Sequence, residues 1–189
     1  MTQRPSTSGK TTARSKIFWS LLAGLFVIGL LVLLGLELFS DRNSALAVGQ
    51  TPEDFTLQTY SGETLQSASL RGKTLLINFW SSWCTTCDEE STMLEEAWKI
   101  FQTRGEDVVF IGVAYMDTEP DALAFLDRYG VTYPNGPDLR GEISNLYRVS
   151  SVPETFILDK NGVLRVIKMG PFTSTQEIML AIEAAAGVK

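Results

Sequence analysis

The only two cysteines of this 189-residue chain, Cys84 and Cys87, are separated by two residues and directly follow Trp83. Cysteines at this spacing can close a small disulfide ring that takes up and releases two electrons. The chain has no further cysteine with which to build a framework of structural disulfides. Any dithiol chemistry of the protein therefore takes place at this pair.

Two other interpretations of the pair are a plain packing disulfide and a metal site. A structural zinc site uses about four protein ligands, and the chain has no histidine and no second cysteine pair. A closed zinc site within the chain is therefore excluded, which leaves only a copper or zinc site completed by carboxylates or by another protein. We predict no metal and no cofactor beyond the redox-active pair of Cys84 and Cys87.

Two hydrophobic patterns predict the elements around the pair. Residues 74–80 form an apolar run, which is typical of a strand buried on both faces. After Cys87, apolar residues recur four positions apart, as on one face of an amphipathic helix: Met93, Ala97 and Phe101. The cysteines are therefore expected where a strand ends and a helix begins.

A helix start favours a negatively charged sulfur. The free N–H groups and the positive end of the helix dipole both stabilise a thiolate there. We expect Cys84 to be the nucleophile and Cys87, one turn into the helix, to be the less accessible resolving thiol.

The rest of the chain alternates between predicted strands and helices. The patterns predict a hairpin over 55–65, a strand over 108–114, a helix from Pro120, a loop over 131–141, a short helix over 143–147, a hairpin around Asn161-Gly162 and a closing helix through 178–182. Together these elements predict an α/β domain in which helices cover a mixed sheet.

The N-terminal segment has the pattern of a membrane anchor. Residues 1–16 are polar, with four basic residues and no acid, and the twenty residues 17–36 carry no charge. A helix needs about 20 apolar residues to cross a bilayer, and basic residues before the span favour a cytoplasmic N-terminus. We predict a cytoplasmic tail over 1–16, a transmembrane anchor over 17–39, a linker over 40–47 and an extracytoplasmic domain over 48–189.

A cleaved signal peptide is the alternative interpretation, because Ala45 and Ala47 resemble a cleavage site. The apolar core is longer than the roughly 7 to 15 residues typical of such peptides. Both interpretations place the domain outside the cytoplasm, and the first predicts a single-pass protein of the cell membrane.

The exported part of the chain is acidic. From Asp41 onward it has 12 basic and 21 acidic residues, which gives a formal charge of −9. A domain of this charge does not bind nucleic acid by neutralising phosphates, and anionic lipid repels it. Nucleic-acid binding is therefore excluded as a function.

The segment from Phe79 to Cys87, with Val152-Pro153-Glu154-Thr155-Phe156 further along, resembles the membrane-anchored thioredoxins of the TlpA, ResA and CcmG type. The resemblance covers essentially the whole exported domain. It implies a thioredoxin-like α/β fold with an N-terminal β-hairpin extension and a helical insertion, preceded by a single transmembrane helix. It also implies that Pro153 is cis beside the cysteines and that Val152 and Trp83 contact the substrate, whereas the alternative is an ordinary proline that opens a strand.

Glu90 is the candidate for handling the proton of the resolving thiol. It lies three residues after Cys87 and so shares a helix face with it. Thioredoxins proper place a buried aspartate on the preceding strand, where this chain has Asn78. The resemblance implies that Glu90 takes over that role, and the alternative is a first-turn acid favoured by the helix dipole, like Asp88 and Glu89.

The charge pattern favours a reductant. Two neutral threonines separate the cysteines and three acids follow them, so the thiolate of the reduced form gains little beyond the helix dipole. We predict a thiol-disulfide oxidoreductase that reduces protein disulfides in an oxidising compartment. The resemblance implies a membrane electron donor of the DsbD or CcdA type and a substrate such as the oxidised haem-binding cysteine pair of apocytochrome c.

Other functions stay open from the sequence. A general extracytoplasmic disulfide reductase and a thiol factor for assembly of a copper site both use the same cysteine pair. A peroxiredoxin fits less well, because Ile77 and Ser81 stand where its proline and threonine precede the reactive cysteine.

Overall fold

The computed structural model describes residues 11–40 and 46–187, and within the first range it describes the side chains of Trp19 and of residues 21–35. The chain divides into two compact units, Met1–Ala45 and Leu46–Lys189.

The first unit contains a single described element, the 30-residue helix α1 (Thr11–Ser40). The predicted anchor over 17–39 falls within α1, and the predicted tail is helical from Thr11. Residues 1–10 of that tail and residues 41–45 of the predicted linker lie outside the described residues. Among the residues that are described, no helix combines the length and the apolar character needed to cross a membrane.

In the second unit, the described residues 46–187 form seven strands, four α-helices and a short 3₁₀ helix over Ser67–Leu70. The strands are β1 (Thr56–Gln58), β2 (Thr64–Gln66), β3 (Thr74–Trp80), β4 (Val108–Tyr115), β5 (Asn135–Asp138), β6 (Glu154–Leu158) and β7 (Leu164–Met169). The helices are α2 (Thr85–Arg104), α3 (Glu119–Tyr129), α4 (Glu142–Tyr147) and α5 (Thr175–Ala186). The predicted strands, hairpins and helices are confirmed, apart from the segment over 131–141.

The main sheet has five strands in the order β5-β4-β3-β6-β7. Strand β3 pairs parallel with β4 and antiparallel with β6, β4 pairs parallel with β5, and β6 pairs antiparallel with β7. The hairpin of β1 and β2 forms a separate two-stranded sheet. The mixed sheet is the one that the sequence patterns predict, and with its hairpin extension it has the thioredoxin-like architecture that the resemblance implies.

The central strand β3 is buried along its whole length. On one face, Ile77 and Phe79 pack with Tyr147 of α4 in one hydrophobic cluster. On the other face, Leu76 packs with residues of α2 and α5 in a second cluster. Because both faces are covered, the end of β3 and the start of α2 are held in fixed positions.

The prediction of a plain loop over 131–141 is wrong, because β5 lies within it. The segment Asn135-Gly136-Pro137-Asp138 has the composition of a turn, yet it pairs with β4 at the edge of the sheet, where a proline is tolerated. A side chain at Gly136 would collide with the backbone carbonyl of Gln58 in β1. Glycine therefore allows the hairpin to lie against β5.

Candidate active site

The cysteine pair lies at the junction of β3 and α2, and Cys84 and Cys87 are joined by a disulfide bond. Cys84 is the N-cap residue of α2, and its sulfur accepts a hydrogen bond from the backbone N–H of Cys87 at 3.2 Å. Cys84 is 6% exposed and Cys87 only 1%. Both sulfurs are thus buried in the disulfide, Cys84 slightly less so, and the assignment of Cys84 as the nucleophile stays a prediction.

The loop before β6 brings the predicted substrate-binding residues to the pair. The Val152–Pro153 peptide bond is cis, and the carbonyl oxygen of Val152 lies 3.6 Å from Sγ of Cys84. The carbonyl of Pro153 accepts a hydrogen bond from Gly170 at 3.0 Å, which joins this loop to the end of β7. Trp83, next to Cys84, is 60% exposed and so offers an aromatic surface beside the disulfide.

Glu90 is buried below the pair on the inner face of α2, with 1% of its surface exposed. One carboxylate oxygen accepts a hydrogen bond from the side-chain amide of Asn78 at 2.8 Å, and the other accepts one from the backbone N–H of Phe172 at 3.0 Å. Asn78 also donates to the hydroxyl of Thr155 at 3.0 Å. The acid is thus fixed between α2, β3 and the segment before α5.

Burial raises the pKa of Glu90 to about 7. The hydrogen bonds from Phe172 and Asn78 and the positive charge of Lys168 act in the opposite direction but do not outweigh it. A carboxyl group with a pKa close to neutral can both accept and return a proton at physiological pH. Its position one helical turn after Cys87 suits it to the proton of the resolving thiol.

Asp117 holds the segment that precedes the cysteines, and the sequence patterns did not single it out. Its carboxylate is buried and accepts hydrogen bonds from the backbone N–H of Ser82 at 2.5 Å and from the Ser82 hydroxyl at 2.9 Å. It also accepts one from the N–H of Thr118 at 2.8 Å. Asp117 follows β4, and because parallel strands end at the same edge of a sheet, an acid after β4 was a usable signal for a residue near the pair.

Glu154, directly after the cis proline, is a second buried acid that sequence reasoning missed. It accepts a hydrogen bond from the backbone N–H of Ser150 at 3.1 Å. Burial raises its pKa, and hydrogen bonds from the N–H groups of Ser150 and Ser151 oppose that effect. Glu154 therefore stabilises the loop that places Val152 against Cys84.

The hairpin contributes Tyr60, which packs against the cluster of Trp80, Cys84 and Cys87. Its hydroxyl is buried, and within the described residues it has no hydrogen-bond partner. Burial raises the pKa of Tyr60 to about 12, with further contributions from Asp117 and Glu119. Tyr60 is thus a neutral, mainly apolar wall of the site.

The chemistry available at this site is two-electron exchange between the cysteine pair and another disulfide or dithiol. In the described part of the chain, no group of three His, Cys, Asp or Glu side chains is placed to hold a metal ion. A thioredoxin-like sheet with a disulfide-bonded cysteine pair at the start of α2 and a nearby cis proline defines a thiol-disulfide oxidoreductase.

Comparison with known proteins gives the same class. The chain is 32% identical over 147 residues to the thiol-disulfide oxidoreductase ResA of Geobacillus thermodenitrificans, which covers 76% of this chain and 83% of the relative. It is 34% identical over 158 residues to the thioredoxin-like protein YneN of Bacillus subtilis, and this alignment covers 82% of this chain and 92% of YneN. Residues 48–167 match the AhpC/TSA family, and the chain belongs to that family.

A solved structure supports the fold. A thiol:disulfide interchange protein of the thioredoxin family from Chlorobium tepidum superposes with a TM-score of 0.65 at 23% identity, and the match covers 75% of this chain and 99% of that one. Enzymes of this class carry electrons in the cysteine pair itself and need no further cofactor.

Proposed function

We propose that the protein is a membrane-anchored reductant of protein disulfides outside the cytoplasm. The observation that carries the direction of electron flow is the charge around the pair. The first two turns of α2 contain the acids Asp88 and Glu89 and no basic residue, and a third acid, Glu90, adds negative charge as the pH rises through about 7. Negative charge close to a sulfur disfavours a thiolate, and a dithiol whose reduced form is weakly stabilised is a good electron donor.

The proposed reaction takes place in two exchange steps. The thiolate of Cys84 attacks one sulfur of the substrate disulfide, that S–S bond breaks, and the other substrate sulfur leaves and takes up a proton. Cys87 loses its proton and attacks Sγ of Cys84, the bond to the substrate breaks, and the second substrate sulfur leaves and takes up a proton. Two electrons and two protons pass to the substrate, and the protein ends as the Cys84–Cys87 disulfide.

Glu90 serves the second step of this reaction. Cys87 is buried, and burial disfavours its ionisation until a base removes the proton. Glu90 lies on the same face of α2 one turn away, and its pKa of about 7 allows it to accept that proton. In the reverse direction, protonated Glu90 returns a proton to the Cys87 thiolate when an external dithiol recharges the pair.

The location is proposed from the N-terminal segment. Its twenty uncharged residues, 17–36, follow four basic residues, and large apolar side chains of α1 such as Leu25 and Phe26 are exposed by more than 70%. A bilayer would bury those side chains, and the basic residues favour a cytoplasmic N-terminus. The oxidoreductase domain then lies on the outer side, where protein disulfides form.

The substrate we propose is the oxidised haem-binding cysteine pair of apocytochrome c, and the electron source is a membrane dithiol donor of the DsbD or CcdA type. Support for both comes from the resemblance of the segments 79–87 and 152–156 to thioredoxins of the TlpA, ResA and CcmG type. A reductant in an oxidising compartment needs such a donor, since its own disulfide would otherwise accumulate.

The identity of the substrate is tested by trapping the mixed disulfide. In full-length protein with Cys87→Ser, Cys84 forms a mixed disulfide with its substrate that no resolving thiol can break. The matched control with Cys84→Ser should trap nothing at the same exposure to membranes. Mass spectrometry of the trapped partner should identify an apocytochrome c.

Each other outcome of the trap points to a different function. A broad set of partners would favour a general disulfide reductase, and a copper-site protein would favour a thiol factor for copper assembly. If Cys87→Ser traps no more protein than Cys84→Ser does, the proposal of a protein disulfide substrate is wrong.

A further inference from the structure

Three polar groups surround the sulfur of Cys84. The backbone N–H of Cys87 lies 3.2 Å from Sγ, the hydroxyl oxygen of Thr86 lies 3.5 Å away, and the carbonyl oxygen of Val152 lies 3.6 Å away. A disulfide sulfur carries no hydrogen, so Sγ can only accept. The hydroxyl of Thr86 is therefore the donor in its contact.

These groups act in opposite directions once the disulfide is reduced and Cys84 ionises. The N–H of Cys87 and the O–H of Thr86 both stabilise negative charge on Sγ, whereas the carbonyl dipole of Val152 disfavours it. Any residue other than proline at position 87 would supply the backbone N–H. The hydroxyl depends on the side chain at position 86, so that residue can change the stability of the thiolate without changing the backbone.

We propose that Thr86 is a catalytic residue whose hydroxyl donates a hydrogen bond to the Cys84 thiolate, and that this bond sets how much of the attacking thiolate is present. The sequence pattern gave the two threonines between the cysteines no role beyond neutrality. The structure separates the two threonines: both are exposed, and in the described structure Thr86 is the one of the two whose hydroxyl is hydrogen-bonded to a sulfur of the pair.

The bond has a defined place in the exchange cycle. It favours the free Cys84 thiolate before attack on the substrate, and it weakens when that charge is lost in the mixed disulfide. This role rests on the proposed function only for the direction of electron flow. In a reductant, the bond increases the amount of Cys84 thiolate that attacks the substrate. In an oxidant, the same bond would make Cys84 a better leaving sulfur.

The test uses three variants of the full-length protein. Thr86→Val removes the hydroxyl and keeps the β-branched shape, Thr86→Ser keeps the hydroxyl, and Thr85→Val is the matched control in the same helical turn. The dithiol–disulfide equilibrium is measured against dithiothreitol at pH 5 and pH 9. Alkylation of the reduced protein by iodoacetamide is measured at pH 6.

We expect Thr86→Val to shift the equilibrium towards the disulfide by up to about tenfold at pH 9, which corresponds to about 30 mV. The shift should be smaller at pH 5, because less of Cys84 is ionised there and the bond acts on the thiolate. A tenfold loss of thiolate slows alkylation only about threefold, because each remaining thiolate is more nucleophilic. Thr86→Ser should behave as the unchanged protein, and so should Thr85→Val.

The inference would be overturned if Thr86→Val and the unchanged protein had the same dithiol–disulfide equilibrium constant at pH 9. It would also be overturned if Thr85→Val shifted that constant as much as Thr86→Val does, or if the shift in Thr86→Val were as large at pH 5 as at pH 9. Thr86→Ala provides a second removal of the hydroxyl if the valine variant folds poorly. None of these outcomes depends on the identity of the substrate, so the inference and the proposed function can fail separately.

Discussion

Glu90 differs from the other acids of α2 in the environment of its carboxyl group. Its pKa is raised to about 7 by burial, whereas the ordinary value is 4.5. The folded protein therefore binds this proton more tightly than the unfolded chain does. The stability that the proton contributes is fully present below about pH 4.5 and is lost as the pH rises through about 7.

This pKa predicts how the stability of the oxidised protein depends on pH. Between pH 4.5 and pH 7, the free energy of unfolding should fall by about 3 kcal/mol because of Glu90, since one pKa unit corresponds to about 1.4 kcal/mol. In Glu90→Gln this contribution should disappear and leave only that of Glu154, whose pKa is also raised, and urea unfolding at several pH values measures the difference. Glu177, with its pKa lowered to about 2 by the hydrogen bond from Lys168, changes protonation below this range.

The control for this measurement is Glu89→Gln, which changes the exposed neighbouring acid. It should keep the pH dependence of the unchanged protein. If Glu90→Gln keeps it as well, the raised pKa of Glu90 is wrong.

The proposed role of Glu90 in resolution predicts a kinetic effect. Glu90→Gln should slow the attack of Cys87 on the mixed disulfide by about 100-fold at pH 7, the lower end of the range for general base catalysis. The rate in the unchanged protein should rise with pH up to about 7 as Glu90 loses its proton. Rapid-quench kinetics with a disulfide peptide separates this step from the first attack, and an unaltered pH profile in the variant would show that Glu90 has no such role.

At the scale of elements, the site depends on the connection between β3 and α2. The connection between β4 and α3 holds it, because Asp117 accepts two hydrogen bonds from Ser82, and the carbonyl of Tyr115 accepts one from the Ser81 hydroxyl at 2.6 Å. The position of Cys84 is thus set by a neighbouring strand as well as by its own helix.

Asp117→Asn should destabilise the protein by about 2 kcal/mol, because its amide group cannot accept all the hydrogen bonds and leaves a buried N–H without a partner. Unfolding in urea measures the loss. Glu119→Gln, an exposed change in the same segment, should alter stability by less than about 0.5 kcal/mol. A loss for Asp117→Asn as small as that would mean that the carboxylate does not hold this connection.

The sequence predicts those elements whose pattern is local. The apolar run of β3 and the spacing after Cys87 predict the strand and helix that hold the pair, and the Asn161-Gly162 signal predicts the β6–β7 hairpin. Strand β5 was missed because its residues are turn formers, and only pairing with β4 and cover by the hairpin make them a strand.

The residues of the site were also predictable only where a local sequence pattern marks them. Cys84, Cys87 and Pro153 belong to short motifs. The bond from Phe172 to Glu90 joins residues 82 positions apart, and Asp117 contacts Ser82 across 35 positions. No local pattern carries such contacts, so the buried network around the pair becomes visible only in the fold.

At the scale of the whole molecule, the charge and the proposed anchor act on the choice of partner. The chain from Asp41 onward has a formal charge of −9, which steers basic partners towards the domain and keeps it away from anionic lipid. An anchored reductant meets only substrates and donors that reach the membrane surface. Whether such a protein reduces or oxidises those partners depends on the direction of electron flow at Cys84 and Cys87.

The reduction potential of the full-length protein tests that direction most directly. The protein is equilibrated at pH 7 with mixtures of reduced and oxidised dithiothreitol, and a thiol-specific mass tag on Cys84 and Cys87 then gives the fraction of reduced protein in each mixture. For a reductant we expect a potential near that of thioredoxin, about −270 mV. A potential near about −120 mV, the value of a strong disulfide oxidant, would contradict it.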